Sequence, residues 1–131
     1  MQTVDRFGIF ERLKHSVQLL ACSSEIQLKM LPQFVCKADE LALDFDNWRE
    51  VAVCNFRFEL TAHQSSCLDA IDSRLSVLTR TGTQSWTEDA VRESGEWKAV
   101  RTLAAAALES FGWPLETPPS HADEFVRGPN C

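Results

Sequence analysis

Between Ala38 and Trp48 the chain reads ADELALDFDNW, four carboxylates and no base set among leucines, a phenylalanine and a tryptophan. Three chemistries could use such a stretch: a divalent metal site, a catalytic carboxylate pair, or a negative surface for a basic partner. A calcium loop needs oxygen ligands at alternating positions, a glycine at the sharp turn and a closing bidentate glutamate. Asp44 and Asp46 match the first two oxygens, but Trp48 stands where the third belongs and Arg49 where the glycine belongs. No metal ligand set is expected. A carboxylate pair for acid–base work requires two acids held across a cleft in unlike environments, and nothing singles out one pair among 19 acidic residues.

Nucleophilic chemistry is equally unmarked. His15, His63 and His121 could each approach a cysteine, yet no glycine-flanked nucleophile accompanies them. Cys22, Cys36, Cys54, Cys67 and Cys131 are irregularly spaced without a CxxC pair, which argues against a zinc knuckle. Cys22, Cys54 and Cys67 are expected as small core hydrophobes, with the histidines partly exposed. Glycine is scarce and forms no phosphate-cradling loop. The residues therefore predict no catalytic group and no cofactor.

A chain of 131 residues with 44% hydrophobic content suffices for one domain with a real core. The net charge of -6 disfavours nucleic-acid binding, which rests on Lys and Arg displacing counterions from phosphates. A basic macromolecular partner fits better. Charges at Asp5, Arg6, Glu11, Arg12 and Lys14 interrupt what would otherwise be a leader's apolar core, and no uncharged run reaches the roughly 18 apolar residues a membrane span needs. A reducing cytoplasm with free thiols and no membrane partner is the expectation.

The elements read mostly as helices. Phe7, Phe10, Leu13, Val17 and Leu20 form a first helical stripe, with Glu11, Lys14 and Gln18 opposite. EIQLKMLPQFVCK alternates at Ile26, Leu28 and Met30 and reads as a short strand or extended connection. Ala38, Leu41, Ala42, Phe45, Trp48 and Ala52 favour a helix beginning with Asp39 and Glu40 in its first turn, while VAVCNFRFEL keeps a strand alternative open. Thr61 and Gln64 make a capping box for a helix through Leu68, Ile71, Leu75 and Leu78 to about Thr79. A short helix starting at Ser85 or Thr87 is interrupted by Gly95, and a last helix carries Trp97, Val100, Ala104, Ala107 and Phe111 before Gly112 and Pro114. From about residue 115 the chain reads as a loosely packed tail. The prediction is an all-α single domain of about five helices, with short strands admitted between residues 26 and 60.

On that reading the acids take sides. Asp39, Asp46 and Glu50 fall near one polar side of their helix, with Glu40, Asp44 and Asn47 on the other flank, and Asp69 and Asp72 lie opposite Leu68 and Ile71 on the next. They form either an ordinary solvated face or an acidic patch for a basic surface. Trp48, Trp97 and Trp113 are expected to be packed, and Trp86, beside a cap, is the candidate aromatic anchor.

The blocks PQFVCKADELALDFDNW and WTEDAVRESGEWKAVRTLAAAALESFGWPLETPP, within residues 30 to 119, resemble those of small acidic bacterial proteins. The chain as a whole is similar in character to immunity proteins of contact-dependent growth inhibition and related polymorphic toxin systems. Those proteins share size, acidity and role rather than one motif, so no residue's role comes with the resemblance. It implies a cytoplasmic, non-enzymatic protein that binds and neutralises a cognate toxin domain, expected to be a basic nuclease such as a tRNase, by covering its active-site surface with acidic residues. The residues expected to do so are Asp39, Glu40, Asp44, Asp46, Asp69 and Asp72. A secretion chaperone or adaptor, and less so a small hydrolase, are the other classes that size and acidity allow.

Overall fold

Side-chain caps decide where most of the helices begin. The computed structural model describes residues 6–33 and 36–119, and no strand occurs among them. Helix α1 runs Arg6–Ala21, α2 Ser24–Met30, α3 Lys37–Phe56, α4 Ala62–Thr81, α5 Glu88–Glu93 and α6 Gly95–Phe111, with 3-10 turns at Arg57–Glu59 and Thr83–Trp86. Ser23, Thr87 and Ser94 each accept a hydrogen bond from the backbone N–H three residues on, opening α2, α5 and α6. At α4 both bonds of the predicted capping box form: Thr61 Oγ1 accepts from the Gln64 N–H and Gln64 Oε1 from the Thr61 N–H. Gly112 closes α6 in the left-handed conformation at φ 70°, its N–H reaching the carbonyls of Leu108 and Glu109. The chain is the all-α domain that its sequence predicts.

Four long helices make a bundle with unequal edges. Helix α1 packs extensively on α3 and on α6, and α6 packs on α4, whereas α3 and α4 touch only sparsely. The core along the three tight edges holds Leu13, Val17 and Leu20 of α1, Leu41 and Phe45 of α3, Leu68, Ile71 and Leu78 of α4, and Trp97 and Val100 of α6. The fourth edge is slack.

Two sequence expectations need correction. Up to Met30, after which Leu31 is extended, the segment expected as a strand or extended connection is helix α2, because its buried side is formed by Leu28 together with Gln27. Its amide N–H groups donate to the Leu19 and Leu20 carbonyls at the end of α1, and its oxygen accepts from Arg101 Nη1 of α6. A fully satisfied buried amide behaves as core, which hydrophobicity alone hides. The strand alternative for VAVCNFRFEL also fails, since α3 continues to Phe56.

In α1 the predicted stripe is buried at Leu13, Val17 and Leu20, and departures fall at its start and on its opposite face. Ile9 is buried while Phe7 is 73% exposed, and Gln18, expected on the solvent face, is buried and donates to the Pro114 carbonyl. That bond and the buried Pro118 hold the start of the expected loose tail against the bundle; residues 120–131 lie outside the described residues. The buried Lys37 donates from Nζ to the Leu28 carbonyl, satisfying one of the acceptors left open at the end of α2.

Candidate functional site

The slack edge between α3 and α4 forms an open groove of about 480 Å³. Helix α3 contributes Asp39, Ala42, Leu43 and Asp46, and α4 contributes Asp72, Leu75, Ser76 and Thr79. Both sets follow the three- and four-residue steps of one helical face, so the groove is a product of helix geometry rather than of a loop. Trp86 completes the lining.

Trp86 is placed by local structure. Gly82, at φ 107°, turns the chain sharply after α4, a conformation strained for any residue with a Cβ. The following 3-10 turn is held down by the Trp97 indole N–H, which donates to the Ser85 carbonyl at 2.9 Å. Trp86 then meets the buried Trp97 edge-on, with ring centroids 5.9 Å apart and an interplanar angle of 86°. One side of its ring is therefore anchored on the core, and the residue remains half-exposed at the groove.

Among the six acids predicted to act together, Asp39, Asp46 and Asp72 line the groove. Leu43, 54% exposed, lies on the same face as Asp39 and Asp46. Asp69 lies one helical turn further along α4 and is held by Arg49 of α3, with Nη2 to Oδ1 at 2.7 Å; the same guanidinium stands 4.0 Å from Asp72. This pair bridges the two helices and takes up part of the negative charge. Glu40 and Asp44 lie on another flank of α3, about 100° or more round the helix from Asp39, and line no part of the groove. Burial raises the Glu40 carboxyl above its ordinary value, and the charges of Asp44 and Asp39 push it the same way.

Of the other candidates, Trp97 is fully buried and Trp113 stacks on Phe111 at 4.1 Å. Trp48 is half-buried under the Arg12 guanidinium, 4.9 Å from its ring centroid. Cys22 is buried, and burial pushes its thiol up against a smaller opposing effect from a hydrogen bond with Thr117. Cys54, expected in the core, is exposed, and Cys67 is half-buried with its sulfur 3.9 Å from His63 Nε2. Neither Cys67 nor His63 lines the α3–α4 groove. Cys22, Cys54 and Cys67 are free thiols. Among the described residues no group of three or more His, Cys, Asp and Glu side chains is arranged to hold a metal ion, and no helix is long and apolar enough to cross a membrane.

Sequence reasoning left Leu43 without a role, because it lies off the apolar stripe of Leu41, Phe45 and Trp48. Its position one step from Asp39 and Asp46 on the helical wheel was the available signal. No family model matches the chain, and the searches of curated proteins and of solved structures likewise return no match.

Proposed function

We propose that this protein binds a basic protein partner through the α3–α4 groove and thereby acts as an immunity protein, neutralising a nuclease toxin domain. The observation that carries this reading is the convergence of Asp39, Asp46, Asp72 and Trp86 around the exposed Leu43 in one groove. Exposed charges at the rim speed encounter and select partners of opposite sign more than they add affinity. Apolar anchors such as Leu43 and Trp86 supply the burial that affinity requires. A nuclease presents the complementary surface, because its active site is basic in order to hold phosphates.

On this proposal the protein is a cytoplasmic inhibitor and not an enzyme. The expected outcome is a stable complex with the toxin domain encoded immediately upstream, measured by calorimetry, together with loss of the toxin's activity when the two are mixed. Absence of both binding and inhibition would overturn the proposal.

A further inference from the structure

The groove does not end at Asp46 and Asp72. Beyond the Arg49 bridge a second open lobe of about 340 Å³ continues between the same helices, lined by Val53 of α3, Arg57 of the 3-10 turn that follows it, Ser65 and Leu68 of α4, and Leu60. The residues lining both lobes recur at three- and four-residue steps on one face of each helix, from Asp39 to Val53 on α3 and from Ser65 to Thr79 on α4, on either side of the Arg49–Asp69 bridge. The two lobes are therefore one trough along the slack edge of the bundle. From Asp39 to Arg57 it spans about 27 Å, roughly five helical turns.

The trough is polarised. Its Trp86 end carries the carboxylates of Asp39, Asp46 and Asp72, while its other lobe carries Arg49 and the exposed Arg57, with Asp69 paired to the first of these. Between the charges the exposed Leu43 and half-buried Val53 offer apolar surface, over a floor of the buried Leu75 and Leu68. A helix is the element that fits a straight trough bounded by two helices and offers an apolar stripe flanked by charge.

We propose that the trough receives one amphipathic α-helix of the protein partner, about 18 residues long, lying antiparallel to α3 with its basic C-terminal part beside Trp86 and its acidic N-terminal part beside Arg57. This direction also suits the partner helix itself, since basic residues at its C-terminus and acidic ones at its N-terminus complement its dipole. A small residue belongs at its middle, where the Arg49–Asp69 pair bridges α3 and α4. The inference rests on the reading that this face binds a protein, and it narrows the mode of recognition from surface coverage to helix insertion.

The test uses two synthetic 18-residue peptides of identical composition. Both carry leucines at helical spacing, one with glutamates in its N-terminal third and lysines in its C-terminal third, the other with those charges exchanged. Fluorescence anisotropy of the labelled peptides should show the first binding the full chain about tenfold tighter, the sum of a few exposed charge pairs. Amide resonances of Leu43, Leu75 and Val53 and the Trp86 indole resonance should shift on binding. The exposed double variant D46K/R57E should abolish the preference, because it leaves the two ends of the trough equally charged, with circular dichroism confirming its helix content.

No binding, equal binding, or a preference unchanged in the variant would each overturn the proposal. So would self-association of the chain that the variant abolishes, since the occupant would then be a second copy. A toxin that is bound and neutralised while both peptides fail would sink helix insertion alone, and oriented peptide binding without toxin binding would sink the immunity reading alone.

Discussion

Asp44 and Asp46 are two residues apart, yet helical spacing alone sets them on different flanks. The helix separates them: Asp46 is exposed in the groove, whereas Asp44 is half-buried on another flank of α3. The D46K variant is therefore expected to weaken partner binding about tenfold, and D44K to change it by less than about twofold. Calorimetry on the two variants checks this, and equal losses would move the interface to the flank. Glu40 supplies a stability test. Its carboxyl is raised by burial first, and by Asp44 and Asp39 second, so the folded state holds the proton more tightly than the unfolded chain does. The cost of ionising it is absent at low pH, develops as pH rises through the ordinary glutamate value, and is complete above the raised one. E40Q should accordingly raise the melting temperature at pH 7 and leave it unchanged near pH 4. A rise of the same size at both pH values would mean the cost is steric.

At the scale of elements, what the sequence disclosed depends on whether a helix is held by apolar stripes or by polar atoms. Helices α4 and α6 were legible because Leu68, Ile71, Leu75 and Leu78, and then Trp97, Val100, Ala104 and Ala107, repeat at helical spacing behind recognisable caps. Helix α2 was hidden because its most buried side chain, Gln27, is polar and makes three hydrogen bonds to α1 and α6. Gln18 misled in the same way in α1, and Phe7, 73% exposed, shows the converse, an aromatic that the stripe does not need. The weight of Gln27 can be measured. Truncation in Q27A leaves the Leu20 carbonyl and one Arg101 N–H bond unmet in a dry site, while the Leu19 carbonyl keeps its bond from the Cys22 N–H, and should cost about 2 kcal/mol in urea denaturation. Arg101 keeps its bond to the Val91 carbonyl, so the loss stays below that of the whole network. A cost under about 1 kcal/mol would show that α2 is held by Leu28 and Leu31 instead.

The groove itself became visible only at the scale of the molecule. Its acids and Trp86 could be named from the sequence, but their convergence depends on α1 and α6 filling three edges of the bundle and leaving α3 and α4 apart. No periodicity within one helix encodes which edge stays slack, since that is set by how four helices share a single core. The same scale governs how a partner would arrive. A net charge of -6, with Asp39, Asp46 and Asp72 gathered along one edge, gives the molecule a directional negative field. Screening acts on that field before contact and much less on apolar surface already buried between Leu43, Trp86 and a partner. Raising the salt from about 0.05 M to about 0.5 M should therefore slow association with a basic toxin about tenfold while changing dissociation by less than about threefold, as read by stopped-flow mixing. The D46K variant should show a shallower salt dependence of association for the same reason. If salt instead acts mainly on dissociation, the carboxylates are paired and desolvated in the complex, and the charge rather than the apolar surface holds it together.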